Sequence, residues 1–238
     1  MQTQLYFWKP MMKVYQNELE LVEKYFNESK PVFEFTENDI IEQAEEAFGS
    51  IQFSEDIDPA DVADAMINYE VELYESALTM KSNHIFITIS MLAHMWEQQV
   101  VRFVSRELMD VYGQKIPLPY SKALEVIIAH GINVREKEYW IKIDELRQLV
   151  NTIKHAEGHS AKKLRRLRPD FFETEGISKD KPMDILEVND SVLLDPYSLN
   201  VKETDLFDYI KATQGFWGEM PDRAFYDFET KTGTVVND

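Results

Sequence analysis

The chain has 238 residues, of which 44% are hydrophobic and 12% aromatic; it has no cysteine, and 43 acidic against 25 basic side chains give a net charge of -18. That much apolar material excludes wholesale disorder. The missing cysteine excludes disulfides, thiolate zinc sites and cysteine nucleophiles, which fits a reducing, cytoplasmic setting, and the acidity disfavours non-specific binding to nucleic acid or anionic membranes.

The opening MQTQLYFWKPMMK lacks the pattern of a signal peptide. Residues 11–28 predict a helix on the spacing of Val14, Leu19, Leu21, Val22, Tyr25 and Phe26. Thr36 opens a second helix with Asp39 three residues on, in the manner of a capping box, and Gly49 ends it. Asp58-Pro59 starts a third, with Asn83 as a break before a central helix over 84–112. The first half of that central helix, IFITISMLAHMW, is apolar nearly all round and predicts burial on several sides, with Ile85, Ile89, Leu92, Trp96, Val100 and Phe103 in the core. The apolar run Ile85–Ala93 is too short to cross a bilayer, which takes about 20 residues. After the linker Pro117-Leu118-Pro119, Ser121 caps a helix that runs to His130 and is closed by Gly131. Another helix covers roughly 136–156 and is closed by Gly158, the acidic stretch 170–200 predicts loops with short strands, and a last helix runs from Lys202 to Gln214 before a polar, frayed tail after Phe228. The fold class expected is therefore all-α. Its parts are an N-terminal helical segment (1–58), a helical-bundle core (59–169) and a loop-rich C-terminal extension with one helix (170–238).

Familiar catalytic signatures are missing: no Gly-rich phosphate loop, no G-x-S-x-G and no H-E-x-x-H. Asp56, Asp58 and Asp61 resemble a calcium loop only superficially, because the required glycine is absent and Pro59 sits inside. Glu70, Glu72 and Glu75 read as a solvated acidic face. His94 and Glu97 stand one turn apart and read as a contact along the helix, since a carboxylate-bridged metal bundle needs paired Glu-x-x-His motifs and the chain has none. No metal or other cofactor is expected.

The richest stretch is IDELRQLVNTIKHAEGHSAKKLRRLRPDFF, residues 143–172. Arg147, Asn151 and His155 fall four residues apart and so share one broad helix face. Together an Arg, an Asn and a His can hold a phosphate and supply a general base near neutral pH, the chemistry of metal-free RNA cleavage. The competing reading is structural: Lys154 and His155 complement the helix dipole in the last turn, and Asn151 bonds a neighbouring loop. Lys162, Lys163, Arg165, Arg166 and Arg168 form the one dense basic run, which is either an RNA-facing strip with Lys154 or a helix face paired with the protein's own acid.

The run LRQLVNTIKHAEG resembles the signature helix of HEPN-domain proteins, whose motif reads R-N-x-x-x-H followed by a small residue and Gly. Asn151 and His155 match the Asn and His, Gly158 fits the following turn, and the long apolar helix ending in Trp96-Glu97-Gln98 fits the bundle order. The later Phe216-Trp217 helix end also resembles bacterial proteins of this kind, and the resemblance spans roughly residues 60–172. It implies a HEPN-like helical bundle that forms a homodimer and binds RNA or a nucleotide, as a metal-independent ribonuclease in bacterial stress, toxin–antitoxin or phage-defence settings. In such enzymes, the resemblance implies, Arg and His of two protomers meet at the dimer interface. One departure matters: Val150 stands where the motif Arg belongs, with Arg147 one turn earlier. The alternative expectation is therefore a non-catalytic helical scaffold whose motif helix serves dimerisation or binding of a partner protein.

Overall fold

The computed structural model describes residues 2–51, 57–114, 117–174, 183–189 and 191–237, with only the backbone of 110–112. Asp56 of the rejected calcium loop, and part of the 170–200 stretch, lie outside the described residues. The fold is mainly helical, as composition and periodicity predict, and one core draws on the whole chain: Leu5 and Leu19, then Trp96 and Leu146, then Tyr209 and Trp217 are all buried in it.

β1 (Gln2–Tyr6) leads into α1 (Lys9–Ser29), which buries Met12, Tyr15, Leu19, Val22 and Phe26. Val14, Leu21 and Tyr25 instead face outward. A 3-10 turn (Lys30–Phe33) precedes α2 (Glu37–Gly49), whose start is the expected capping box: the Thr36 hydroxyl accepts the Asp39 N–H at 3.2 Å and the Asp39 carboxylate accepts the Thr36 N–H at 2.7 Å.

α3 runs unbroken from Pro59 to Tyr112, 54 residues, about 80 Å at 1.5 Å per residue. The break expected at Asn83 does not occur. Asn83 stays in the helix, and its side-chain amide donates to the Leu193 carbonyl at 2.8 Å. The change in composition there marks the point where the helix enters the core. No described residue from 57 to 83 is buried, whereas His84, Phe86, Ile89, Leu92, Trp96, Val100 and Phe103 all are. Ile85 is half-buried against the core and Ile87 faces solvent, so the apolar stretch is open along one side. No helix of the described residues is long and apolar enough to cross a membrane.

α4 (Tyr120–Ala129) begins one residue before Ser121, with Pro119 at the cap and no side-chain cap bond. A 3-10 turn (Val134–Glu136) leads into α5 (Glu138–His155), and α6 (His159–Leu167) follows. α5 is closed by Ala156, at a φ of 53°, rather than by Gly158; this is a conformation glycine adopts more readily. Pro169–Phe172 form a 3-10 turn. No strand occurs among the described residues of 170–200; those of 185–198 form turns and bends, held by carboxylate-accepted bonds such as Tyr197 N–H to Asp195 at 2.8 Å. α7 (Glu203–Gly218) runs through Gly215, since Phe216 and Trp217 are buried and extend its apolar face.

The tail is not frayed. β2 (Arg223–Asp227) and β3 (Thr232–Val236) form a hairpin that pairs with β1 in the antiparallel order β1-β2-β3, with Leu5 opposite Ala224. Asp227 shapes the hairpin turn by accepting the N–H groups of Glu229 and Thr230 at 2.7 and 3.2 Å. The sheet is tied to the end of α4. The His130 Nδ1–H donates to the Val126 carbonyl at 2.7 Å, which leaves Nε2 to accept the Thr3 hydroxyl at 3.1 Å. Gly131 (φ 91°) and Gly233 meet backbone to backbone, and a Cβ on Gly233 would lie 2.2 Å from the Gly131 nitrogen.

Candidate functional site

α5 is locked by side chains on both flanks. Buried Glu145 accepts the Tyr209 hydroxyl at 2.7 Å and Arg168 at 2.7 Å, and Arg168 also pairs with Asp205 at 2.8 Å and stacks 3.8 Å over the Phe171 ring. That network joins α5, the end of α6 and α7. On α3, Gln99 donates to the Tyr15 carbonyl at 3.1 Å and accepts the Trp217 indole N–H at 2.8 Å, which joins α1, α3 and α7.

With both helices held, α3, the start of α4 and α5 enclose a cleft of about 380 Å³ lined by Ser90, His94 and Glu97, by Tyr120, and by Arg147 and Asn151 among others. Arg147 is placed from two sides. Its Nε lies 3.3 Å from Glu97 Oε1, and its guanidinium sits 4.7 Å over the Tyr120 ring. The expected His94–Glu97 contact does not form among the described residues, because Glu97 takes the Arg147 cation instead; His94 is left exposed at the cleft. The Tyr120 hydroxyl is buried without a partner among the described residues, and burial pushes its pKa well above the phenol range. Val150, at the motif-Arg position, lines the same cleft, so neither of its walls carries a second guanidinium.

Two of the three residues singled out on α5, Arg147 and Asn151, therefore reach one cleft. His155 is exposed one turn beyond Asn151, as the last residue of α5, and is not among the lining residues. His94 and Tyr120 join the cleft from other helices. Their sequence signal was weak: His94 stood out only as a metal-ligand candidate, and among the described residues no group of three or more His, Asp or Glu side chains is placed to hold a metal ion.

The basic run divides. Lys163 pairs with Asp144 at 2.9 Å, Arg165 with Glu157 at 2.7 Å and with Asp184, and Arg168 with the three carboxylates of Glu145, Asp170 and Asp205. Arg165 also covers the Phe172 ring at 4.5 Å. Lys154, Lys162 and Arg166 remain exposed. The continuous strip expected over 162–168 is thus reduced, because α6 is docked on α5 through its cations and only part of the run faces outward. No family model, curated protein or solved structure matches the chain.

Proposed function

We propose that the protein is HEPN-like and binds a phosphate-bearing ligand, a nucleotide or a single phosphodiester of RNA, in the cleft between α3 and α5. The observation that carries this reading is Arg147, fixed by Glu97 and Tyr120 with the Asn151 amide and the His94 imidazole on the same cleft. An oriented guanidinium recognises phosphate oxygens bidentately, and an amide adds a neutral donor beside it. An incoming phosphate competes with Glu97 for Arg147, so the ion pair acts as a placeholder that is exchanged on binding. In a cleaving enzyme, His94 at the cleft or His155 at its edge would take the 2′-hydroxyl proton, and the RNA would reach the cleft past Lys154. The exposed side of α5, with Asn151, Lys154 and His155, would meet its two-fold mate in the homodimer that the HEPN resemblance implies.

A second reading, a non-catalytic scaffold, is favoured by Val150 in the motif-Arg position and by the cations consumed within α6. One experiment separates the two. Full-length protein is titrated with fluorescent single-stranded RNA and with a labelled adenine nucleotide in EDTA, and the RNA is then run on a gel. Binding weakened about tenfold or more in Arg147→Ala and in Asn151→Ala supports the cleft. Cleavage lost in His155→Ala or His94→Ala supports the ribonuclease. Binding of neither probe overturns the proposal in favour of the scaffold.

A further inference from the structure

The outer part of α3 and the α2 helix beside it carry a charge pattern unlike the rest of the molecule. Residues 31–80 hold 14 aspartates and glutamates and no lysine, arginine or histidine, whereas the remaining chain holds 29 acidic against 25 basic residues. Most of the net charge thus sits on this one hairpin of helices. Glu42, Glu46, Asp64 and Glu72 are exposed there and form no ion pair among the described residues.

The same region holds an apolar groove. The 3-10 turn, α2 and α3 enclose about 570 Å³ floored by Phe33, Phe35, Ile40, Leu73 and Ala77, with Glu34 and Asp39 on its walls. Val32 and Met80 at its rim are 79% and 52% exposed. On α2, Glu42 and Glu46 lie three residues from Asp39 and Gln43 of the groove, on the adjoining strip of helix surface, and Glu72 borders Leu73 on α3. The groove is therefore apolar below and flanked by the carboxylates of Glu42, Glu46 and Glu72, which form no ion pair among the described residues, while Glu34 on its wall pairs with Lys30 at 3.5 Å.

We propose that this groove is the docking site for a basic amphipathic helix of a partner protein. Its apolar face enters between Phe35, Leu73 and Met80, in the helix-in-groove mode, while lysines and arginines along its edges meet Glu42, Glu46 and Glu72. Charge decides the occupant. A nucleic acid or an anionic membrane is repelled, and a second copy would bring an equally acidic hairpin against the first. The lining residues of this groove, up to Met80 on α3, do not overlap those of the cleft, which begin at Ser90, so the two sites are separate.

The test uses full-length protein and three fluorescent peptides followed by anisotropy. These are an amphipathic helix of leucine and lysine, its scrambled isomer, and an oligolysine of equal charge. The expected result is saturable one-to-one binding of the amphipathic peptide, with the two controls at least about tenfold weaker. Met80→Asp, on an exposed rim residue, and the triple Glu42→Gln, Glu46→Gln, Glu72→Gln variant each weaken it about tenfold while circular dichroism stays unchanged, and added salt acts mainly on the charge contribution. Equal binding of the controls reduces the effect to bulk attraction and overturns the proposal. So does an absence of saturable binding, or an affinity unchanged by Met80→Asp. Self-association of the protein that Met80→Asp abolishes would assign the groove to a second copy and overturn it as well.

Discussion

His84 shows how one buried side chain couples the fold to pH. Its ring stacks between Phe26 and Phe33, with centroids 4.8 and 4.4 Å away, and Nε2 lies 2.8 Å from the Ser29 hydroxyl. Burial lowers its pKa below the ordinary histidine value, against a smaller upward pull from Glu203. Burial likewise lowers that of His130, opposed by its bond to the Val126 carbonyl. Below an ordinary value of about 6.5 the unfolded chain binds protons that the folded chain refuses, so stability falls as the pH drops through that value. Each unit of depression is worth about 1.4 kcal/mol once the pH is below both values. His84→Gln, which cannot charge, should make the loss of unfolding free energy between about pH 7.5 and about pH 5.5 shallower. Denaturant melts at the two pH values check this, and an unchanged slope would show that His84 does not carry the effect. At the same scale, the spacing of Arg147 and Asn151 made their common face readable in the sequence. The roles of Arg165 and Arg168 were only partly readable: Glu157 and Asp170 lie near them in sequence, but Asp184, Glu145 and Asp205 are distant and come beside them only after packing.

α3 joins two kinds of helix in one element. Its core half has the buried residues Leu92 and Trp96, while its outer half rests on α2 through rings such as Phe48 on Tyr69, 5.7 Å apart. Leu92→Ala should therefore cost about 2–5 kcal/mol through the cavity it leaves. Ile67→Ala, at a residue 57% exposed, should stay within about 0.5 kcal/mol. Equilibrium unfolding of both variants tests the division, and similar costs at the two positions would refute it. The helices were legible because periodicity and caps such as Thr36/Asp39 are local signals. The strands were less so. β1 does alternate, with Thr3 and Leu5 inward, but it is short. β3 is exposed along its whole length, so no apolar face betrays it; it exists because β2 offers it a hydrogen-bonding edge. Asn83 misled for a related reason. A weak helix former flanked by a change in composition reads as an end, yet here its amide is satisfied by the Leu193 carbonyl and the helix continues.

At the scale of the whole molecule, the net charge of -18 hides a division. The body that holds the α3–α5 cleft is close to neutral, so a phosphate approaching it meets far less repulsion than the total suggests. The acidic hairpin of α2 and α3 bears most of the self-repulsion. Screening should relieve it, and the melting temperature should therefore rise as salt is raised from low concentration to about 0.15 M, where the Debye length is about 8 Å. Differential scanning calorimetry measures this directly, and a falling melting temperature would mean that the ion pairs of the body outweigh the repulsion of the hairpin. Net charge was legible in the sequence, but its spatial meaning was not, because only the fold shows that α2 and the outer half of α3 lie together away from the core.

The sheet sets an order of events on the ribosome. β1 precedes every described helix and the hairpin it pairs with follows them, so Leu5 must wait for Ala224 while the helices between them are made. Such distant pairing is slow to form. Until residues 223–227 leave the exit tunnel, the nascent chain displays an unpaired strand edge with apolar residues beside it, the feature that invites association with other unfinished chains. A chain stalled after α7 would lack β2 and β3, and the edge of β1 would stay unpaired.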